Sequence, residues 1–302
     1  MKDSEPGTRD VPCNAPRNAA DCSGWRPGLQ RRLCKTARMT PPRPWSAAPV
    51  DALRGVAGVF TDIDDTLTSD GAIEPAALDA LGRLAGAGLP VIAITGRPMG
   101  WSEPFARDWP VECIVAENGS VALFRDRDAL RIEYAQDEAT RTANAARLRE
   151  VAARIVAEVP GATLARDSAG RVTDIAIDHG EFVDLDDAHV AHVVALMEAE
   201  GMTATVSSIH VNGWFGTHDK LSGARWIVRR LYDRDLDAEL GRWVYVGDST
   251  NDQRMFGHFP LSVGVANLRE FADRLQTWPA FITAGARGDG FAEVARALLA
   301  AR

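Results

Sequence analysis

Residues Phe60 to Leu67 read F-T-D-I-D-D-T-L, and the rest of the chain is organised around them. The apolar run 58–60 leads into this stretch as a buried strand, and Asp62, Asp64 and Asp65 follow directly. Three carboxylates at the end of a buried strand repel each other unless a cation lies among them. Mg²⁺ prefers such oxygen ligands and keeps sites for water and phosphate. The stretch therefore predicts a Mg²⁺ site with a carboxylate nucleophile beside it.

Two other interpretations of this stretch are a polar turn and a calcium loop. Asp and Thr are common in turns because their side chains bond to nearby backbone groups. A calcium loop of the D-x-D-x-D-G type needs glycine at its sixth position, which here is Leu67. The calcium loop is thereby excluded, and the choice between a turn and a metal site depends on the rest of the chain.

The composition is typical of a soluble globular protein. The 302 residues are 46% hydrophobic and 25% charged, and the net charge is −8. An acidic chain is a poor candidate for binding nucleic acid or an anionic membrane, and no apolar run has the length of a membrane span. The four cysteines (Cys13, Cys22, Cys34 and Cys113) fit no zinc-binding spacing, so we expect reduced thiols and a cytoplasmic location.

Residues 1–50 differ from the rest of the chain. They carry nine Lys/Arg and four Asp/Glu, are rich in Pro, Arg, Ala and Gly, and show no periodicity. This composition predicts a disordered leader. The segment lacks the apolar core of a secretory signal, and its acidic residues argue against an organelle transit peptide. We expect the folded part to begin at residue 51, and a translation start at Met39 fits the same interpretation.

Apolar strands and helices alternate in two parts of the chain. Strands are predicted at 58–60, 89–94, 112–116 and 243–246, and polar residues follow each of them. Such alternation predicts an α/β fold with a doubly wound parallel sheet, in which ligands bind at the carboxyl ends of the strands.

The segment between these parts has another character. Residues 123–212 combine long helical stretches with alternating strands and contain no dense cluster of catalytic type. We therefore expect an inserted α+β domain at 123–212, and a catalytic core formed by 51–122 and 213–302.

Polar residues at the strand ends match the requirements of phosphoryl transfer. Asp62 would attack phosphorus, and Asp64 would protonate the leaving alkoxide and later deprotonate water. The Thr95 hydroxyl and the Gly96 N–H would bind phosphate oxygens, and Lys220 would offset their negative charge. Each residue also has an ordinary interpretation, because Thr95 could cap a helix and Lys220 could be a solvated lysine.

A second group of residues would hold the metal ion. Asp62, Asp248 and the Asp64 carbonyl offer oxygen ligands for Mg²⁺, with Asn251 and Asp252 in support. Turn residues are the plain alternative for Asp248 and Asp252. It is the complete set, in this order and after these elements, that favours catalysis.

This set of motifs resembles the haloacid dehalogenase-like (HAD) superfamily of phosphatases. The resemblance extends from Val56 to the C-terminus, and the position of the insert is similar to that in the subgroup with a large α/β cap. That subgroup includes Cof-type sugar phosphatases and sucrose-phosphatase. The motifs are Asp62-Ile63-Asp64-Asp65-Thr66-Leu67, Ile94-Thr95-Gly96-Arg97, Lys220, and Gly247-Asp248-Ser249-Thr250-Asn251-Asp252.

The resemblance implies a Rossmann-like core, a cap over the site, and Mg²⁺-dependent hydrolysis of a small phosphorylated metabolite, with a sugar phosphate as the expected substrate. A phosphosugar mutase of the phosphomannomutase type is an alternative, and a catalytically silent binding protein is a third. The second aspartate, Asp64, favours a phosphatase over a dehalogenase, which needs no general acid there.

Substrate-binding residues are expected in or beside the insert. A sugar needs several hydrogen-bonding side chains, and a second anionic group would need an arginine. The candidates are Asn118, Arg166, Arg171, Asp178, His179, His210 and Asn212.

Overall fold

The computed structural model describes residues 41–127 and 129–302, whose strands form a nine-stranded sheet, a four-stranded sheet and a two-stranded hairpin. The strands are β1 (Arg43–Pro44), β2 (Gly58–Thr61), β3 (Thr68–Ser69), β4 (Ala72–Ile73), β5 (Val91–Ile94), β6 (Cys113–Ala116), β7 (Val121–Asp126), β8 (Ala129–Tyr134), β9 (Thr163–Leu164), β10 (Asp174–Asp178), β11 (Thr203–Val206), β12 (His210–Trp214), β13 (Trp243–Gly247), β14 (Leu261–Gly264) and β15 (Phe281–Ile282). The α-helices are α1 (Val50–Arg54), α2 (Pro75–Gly86), α3 (Met99–Asp108), α4 (Glu138–Glu158), α5 (Asp187–Ala199), α6 (Lys220–Tyr232), α7 (Gln253–His258) and α8 (Arg287–Ala300).

The large sheet has the predicted α/β architecture. Its strand order is β1-β15-β14-β13-β2-β5-β6-β7-β8, and the pairs from β1 to β6 are parallel. The chain leaves β2 toward β5 on one side and later returns to β13 on the other. The strand order therefore reverses at β2, which is where ligands bind in open sheets of this kind.

The central strand β2 is buried on both faces. Val59 packs into an apolar cluster with helices α2 and α8, whereas Phe60 packs into a second cluster with α6 and β13. Successive side chains of a strand point to opposite faces, so a continuous apolar run covers both. The two clusters hold the strand ends in place at the centre of the sheet.

A hairpin extends the large sheet beyond the predicted boundary of the insert. Strands β7 and β8 pair antiparallel with each other, and β7 pairs antiparallel with β6. The sequence analysis assigned residues 123–134 to the insert, but the structure places these two strands in the large sheet. The reason is the apolar start of β7, which is buried from Val121 to Phe124 and continues the sheet rather than leaving it.

The end of the predicted leader is ordered, in contrast to our expectation of disorder for residues 1–50. Residues 43–44 form the edge strand β1, which pairs with β15, and Trp45 is only 1% exposed. The Trp45 ring lies edge-on to Phe281 at 5.5 Å. Burying one large aromatic side chain offsets the ordering of a short segment. The expectation for residues 1–40 lies outside the described residues.

The four-stranded sheet lies within the predicted insert. Its order is β11-β12-β10-β9, and all its pairs are antiparallel. Helices α4 and α5 bury their apolar residues against it, among them Ile155 and Met197. The division of the chain into a core and an inserted domain stays a prediction.

The α-helices described by the structure include none with the length and apolarity needed to cross a membrane.

Candidate active site

The predicted site residues follow three adjacent strands at the centre of the large sheet. Asp62 follows β2, Thr95 follows β5 and Asp248 follows β13. The strands are in register, with Thr61 opposite both Val246 and Ala93. Parallel strands end at the same edge, so the three polar residues meet there.

Lys220 lies between two carboxylates beneath this edge. Its Nζ is 3.0 Å from Asp62 Oδ1 and 2.8 Å from Asp252 Oδ1, and the side chain is 4% exposed. Burial lowers the pKa of Lys220, but the charges of Asp252 and Asp62 raise it by more, so the pKa is higher than that of an ordinary lysine. The ammonium therefore stays protonated and balances part of the carboxylate charge.

The start of helix α6 sets the position of Lys220. Asp219 caps the helix and forms a capping box with Ser222. Gly119, at φ +106°, packs directly on the Asp219 carbonyl, where a Cβ atom would clash. Glycine is therefore required here both for its backbone conformation and for the close approach. This contact fixes the helix start beside the strand ends.

Asp252 supports its neighbours, and both of its carboxylate oxygens accept hydrogen bonds from them. Its Oδ1 accepts hydrogen bonds from Lys220 and Tyr245, and its Oδ2 accepts from the N–H groups of Asp248 and Ser249. Both oxygens are thus occupied, although one of them lies within 4.8 Å of a carboxylate oxygen of Asp62 and of one of Asp248. Asn251, predicted to support the metal site, accepts a hydrogen bond from the neighbouring Ser249 hydroxyl at 3.0 Å.

Asp248 keeps one carboxylate oxygen without a partner. Its Oδ1 accepts a hydrogen bond from Thr66 at 3.2 Å, whereas the buried Oδ2 has no hydrogen-bond partner. Burial, reinforced by the charges of Asp252 and Asp62, raises the pKa of Asp248 well above its ordinary value. An orphaned buried carboxylate oxygen among like charges fits a cation ligand.

A divalent cation also fits the charge balance of the cluster. Three buried carboxylates face one ammonium, that of Lys220. Burial raises the pKa of Asp62 to about 7, against the opposing effect of Lys220. Asp62, Asp248 and the Asp64 carbonyl, which accepts no hydrogen bond from a described residue, supply the oxygen donors that Mg²⁺ prefers.

Asn118 lies beside Thr95 and Gly96, and its backbone N–H donates to the Thr95 carbonyl at 3.0 Å. The Gly96 N–H forms no hydrogen bond with a described residue, and Thr95 Oγ1 accepts one from the Arg97 N–H at 3.0 Å. Asn118 Nδ2 is buried without a partner, and a Cβ atom at Gly96 would lie 3.3 Å from it. Such free N–H donors can bind the oxygens of an anion.

Arg97 connects Asp64 with the four-stranded sheet and its loops. Its guanidinium is 2.9 Å from Asp64 Oδ1, 3.2 Å from Asp167 Oδ2 and 2.8 Å from Glu181 Oε1. Glu181 in turn lies 3.0 Å from His210 Nε2. Burial raises the pKa of Asp64, and Arg97 acts in the opposite direction. The ion pairs hold the Asp64 side chain in one orientation.

A cleft of about 360 Å³ opens above this network. Its volume is within the range of small-molecule sites in proteins. One wall comes from the strand ends of the large sheet, and the other from the loops at 180–182 and 208–209. It is lined by Asp64, Asp65, Thr68, Asp70, Gly71, Arg97, Gly180, Glu181, Phe182, Ser208, Ile209, Asp248, Asn267, Glu270, Phe271 and Arg287.

Two candidates for substrate binding instead join the large sheet to the smaller one. Arg171 donates to the Gly96 carbonyl at 2.9 Å and pairs with Asp174 at 2.9 Å. Asn212 donates to the same carbonyl at 3.3 Å and to Asp174 at 3.1 Å. Arg171 Nη1 and Asn212 Nδ2 are committed to these contacts, whereas Arg171 Nε is buried without a partner. Neither side chain lines the cleft described above.

Other candidates have local partners. Asp178 accepts hydrogen bonds from the backbone N–H groups of residues 180–182, and His179 Nε2 lies 3.1 Å from the Ser207 carbonyl. Arg166 stacks on the Phe182 ring at 3.6 Å and does not line the cleft. Among the candidates from the insert, His210 reaches the network through Glu181.

The sequence analysis assigned no role to four charged residues of this region. They are Arg97, Glu117, Glu181 and Arg287. Arg97 and Glu117 stand next to motif residues, so their positions were a usable signal. Glu181 and Arg287 lie far from the motifs along the chain, and local sequence carries no signal of their approach.

Comparisons with known proteins agree with this architecture. Residues 59–158 match the family model of haloacid dehalogenase-like hydrolases. No functionally curated protein matches the sequence. Solved structures that match include a Thermoplasma acidophilum protein, with 17% identity and a TM-score of 0.62 over 81% of this chain and 98% of that one.

Two further structures carry enzyme names. The sucrose-phosphatase from Synechocystis, solved with sucrose and phosphate, has 14% identity and a TM-score of 0.58 over 81% of this chain and 98% of that one. A sugar phosphatase of HAD subclass IIB has 15% identity and a TM-score of 0.54 over 80% and 98%. At these identities the likeness concerns the fold. Residues 59–158 thus match the haloacid dehalogenase-like hydrolase family, and the chain shares the fold of these solved structures.

Proposed function

We propose that the protein is a Mg²⁺-dependent phosphatase that hydrolyses a small phosphorylated metabolite through an aspartyl-phosphate on Asp62. The observation that carries this proposal is the asymmetry of the buried carboxylates. Asp252 has both oxygens occupied, whereas Asp248 has an oxygen without a partner beside Asp62 and Lys220. A purely structural cluster would satisfy all its buried oxygens.

The first half of the reaction uses both aspartates of the motif. An oxygen of Asp62 attacks phosphorus, and the bond between phosphorus and the ester oxygen breaks. The leaving alkoxide takes a proton from Asp64. Burial raises the pKa of Asp64, which favours the protonated form that this step needs.

The second half regenerates Asp62. Asp64, now ionised, accepts a proton from a water molecule that attacks the phosphorus of the aspartyl-phosphate. The bond between phosphorus and the Asp62 oxygen breaks, and inorganic phosphate leaves. Hydrogen bonds from Arg97 Nε to the Asp64 carboxyl group keep Asp64 in place for both proton transfers.

The phosphate oxygens would be bound by the groups around Thr95. The Gly96 N–H and Asn118 Nδ2 are free donors, and Lys220 supplies a positive charge beside the nucleophile. Asp62, Asp248 and the Asp64 carbonyl would hold Mg²⁺, which when bound neutralises charge on the phosphoryl group. The four-stranded sheet with α4 and α5 would act as a cap over the cleft.

A sugar phosphate is the proposed substrate class. Two similar folds belong to a sucrose-phosphatase and a sugar phosphatase. The cleft has the size of a small-molecule site, and most of the side chains that line it are polar. Hydroxyl groups of a sugar would find acceptors in Glu181 and donors in Ser208.

The test is phosphate release from a panel of sugar phosphates, polyol phosphates and p-nitrophenyl phosphate, with Mg²⁺ and with excess chelator. We expect metal-dependent release from at least one compound, and we expect Asp62→Asn to lower it by at least about 10³-fold while retaining the melting temperature. Release from wild type without metal would contradict the Mg²⁺ proposal. Wild-type activity in Asp62→Asn would remove Asp62 as nucleophile.

The same assay separates the alternatives. Interconversion of two sugar phosphates, dependent on a bisphosphate and without phosphate release, would establish a mutase instead. Binding of a sugar phosphate without any turnover would establish a binding protein.

A further inference from the structure

Two cations line the cleft among the residues that the structure describes. They are Arg97 and Arg287. The Arg97 guanidinium is occupied by Asp64, Asp167 and Glu181 and is 5% exposed. A substrate could engage Arg97 only by displacing these carboxylates.

Arg287 has donors to spare. Its Nε donates to Asp65 Oδ1 at 3.0 Å, while Nη1 and Nη2 form no hydrogen bond with a described residue. The side chain is 40% exposed. The backbone N–H of Arg287 donates to Asn267 Oδ1 at 3.0 Å, and Asn267 Nδ2 donates to the Asp65 carbonyl at 3.0 Å. These contacts hold the guanidinium against the wall of the cleft with its outer edge free.

The backbone at both ends of this ion pair is strained. Asp65 has φ +53° and Arg287 has φ +46°, in the left-handed region that non-glycine residues rarely adopt. Glycine would fit such a position without steric cost. At Asp65 the chain instead carries a carboxylate that orients Arg287. Strain of this kind is concentrated at functional sites.

The arginines that the sequence analysis suggested for a second anion do not have this freedom. Arg171 is committed to Asp174, Asp167 and the Gly96 carbonyl, and Arg166 lies outside the cleft lining. Lys220 is held between Asp62 and Asp252. Arg287 is thus the cation of the described cleft that can bind a ligand without losing an existing partner.

We propose that Arg287 binds a second anionic group of the substrate, a carboxylate or a phosphate, in addition to the phosphate that is transferred. The inference rests on the proposed phosphatase function and narrows its substrate class. A free guanidinium edge matches the two oxygens of such a group. Asp70 and Glu270 also line the cleft and form no ion pair within the described part of the chain, so general attraction of anions is weak. Selection then depends on Arg287 itself.

The test compares substrates that differ only in the second group. 3-Phosphoglycerate is paired with glycerol 3-phosphate for a carboxylate, and glucose 1,6-bisphosphate with glucose 6-phosphate for a phosphate. We expect wild-type kcat/KM to be at least about 10-fold higher for the anionic member of one pair, and the pair that responds identifies the group. Arg287→Gln should raise KM for that member by roughly 10- to 100-fold and leave its neutral partner within about twofold.

Two further variants sharpen the result. Arg287→Lys retains the charge but not the two-pronged geometry and should restore part of the difference. Arg296→Gln makes the same charge change on an exposed position of helix α8 and should behave as wild type. Equal loss of kcat for both members of a pair in Arg287→Gln would overturn the inference, because Arg287 would then act by positioning the Asp65 loop. Higher wild-type kcat/KM for the neutral member of both pairs would also overturn the inference. The same holds if wild type prefers phosphoethanolamine, whose second group is a cation, to the anionic members.

The role of Arg287 can be tested even if the protein is not a phosphatase. If no compound releases phosphate, titration calorimetry with 3-phosphoglycerate and glycerol 3-phosphate, and with the glucose bisphosphate and monophosphate, decides the role of Arg287 alone. Tighter binding of an anionic member that disappears in Arg287→Gln supports the inference. Equal binding of the members of both pairs overturns it.

Discussion

The ammonium of Lys220 lies between the carboxylates of Asp62 and Asp252, at 3.0 and 2.8 Å, and all three side chains are buried. A buried ion pair contributes little net stability, but removing one partner leaves a charge without compensation. The same residue therefore affects both the fold and the proposed chemistry.

Lys220→Met should lower the free energy of unfolding by about 3–5 kcal/mol and abolish phosphate release, because two buried carboxylates lose their cation. Urea denaturation at pH 8 measures the first effect. The control is Lys220→Met combined with Asp252→Asn, which should recover part of the stability but none of the activity. Wild-type stability in Lys220→Met would mean that the carboxylates are protonated in the fold.

At this scale the sequence was informative where function needs a side chain next to a strand end. Asp62, Thr95 and Asp248 were predicted together, and the structure brings them together. The sequence did not predict the roles of Arg171 and Asn212, because residue type alone does not distinguish a ligand-binding side chain from one that joins two sheets.

At the scale of elements, the segment between β12 and α6 carries a histidine whose burial disfavours its charged form. His218 stacks on the Trp214 ring at 5.3 Å, and its Nε2 is buried without a hydrogen-bond partner. Burial lowers the pKa of His218 to about 4, with a smaller opposing effect from Asp219. The imidazole is therefore neutral in the folded protein at neutral pH.

Stability should fall on acidification because of His218. The unfolded chain binds a proton near pH 6.5, whereas the folded chain binds it only near pH 4, so this contribution is present above pH 6.5 and is lost as the pH falls to 4. The loss attributable to His218 is at most about 3 kcal/mol. Urea denaturation at pH 7.5 and pH 4.5 should show a smaller difference for His218→Gln than for wild type. An identical difference in both proteins would contradict the assignment.

The edge strand β1 shows why an element can escape sequence analysis. Three prolines and an arginine directly precede Trp45, and this local composition predicts disorder. The strand forms because Phe281, more than 230 residues later in the chain, supplies its packing surface. Contacts of this sequence separation leave no local pattern.

At the scale of the whole molecule, Glu117 joins the large sheet to the smaller one. Its carboxylate accepts hydrogen bonds from the backbone N–H of Met99, which begins helix α3. It also accepts from the N–H groups of Val172 and Thr173 and from the Thr173 hydroxyl, and it is fully buried. One side chain thus satisfies donors from two parts of the fold.

Glu117→Gln should loosen this junction. The amide has one acceptor oxygen where the carboxylate has two, so at least one buried N–H loses its partner, at a cost of about 1–3 kcal/mol. Hydrogen exchange should become faster by roughly 5- to 100-fold at Val172 and Thr173 and stay unchanged in β2 and β13. Exchange that is unchanged throughout would show that the junction does not depend on Glu117.

The sequence by itself determined the α/β class, the order of strands and helices around the site, and the motif residues at the strand ends. These features depend on periodicity and on spacing along the chain, which a sequence displays directly. The tertiary structure decided the extension of the large sheet by β7 and β8 and the partners of Arg97. It also decided the position of Arg287 in the cleft. Each of these depends on residues far apart in sequence that approach only when the sheets and helices have packed.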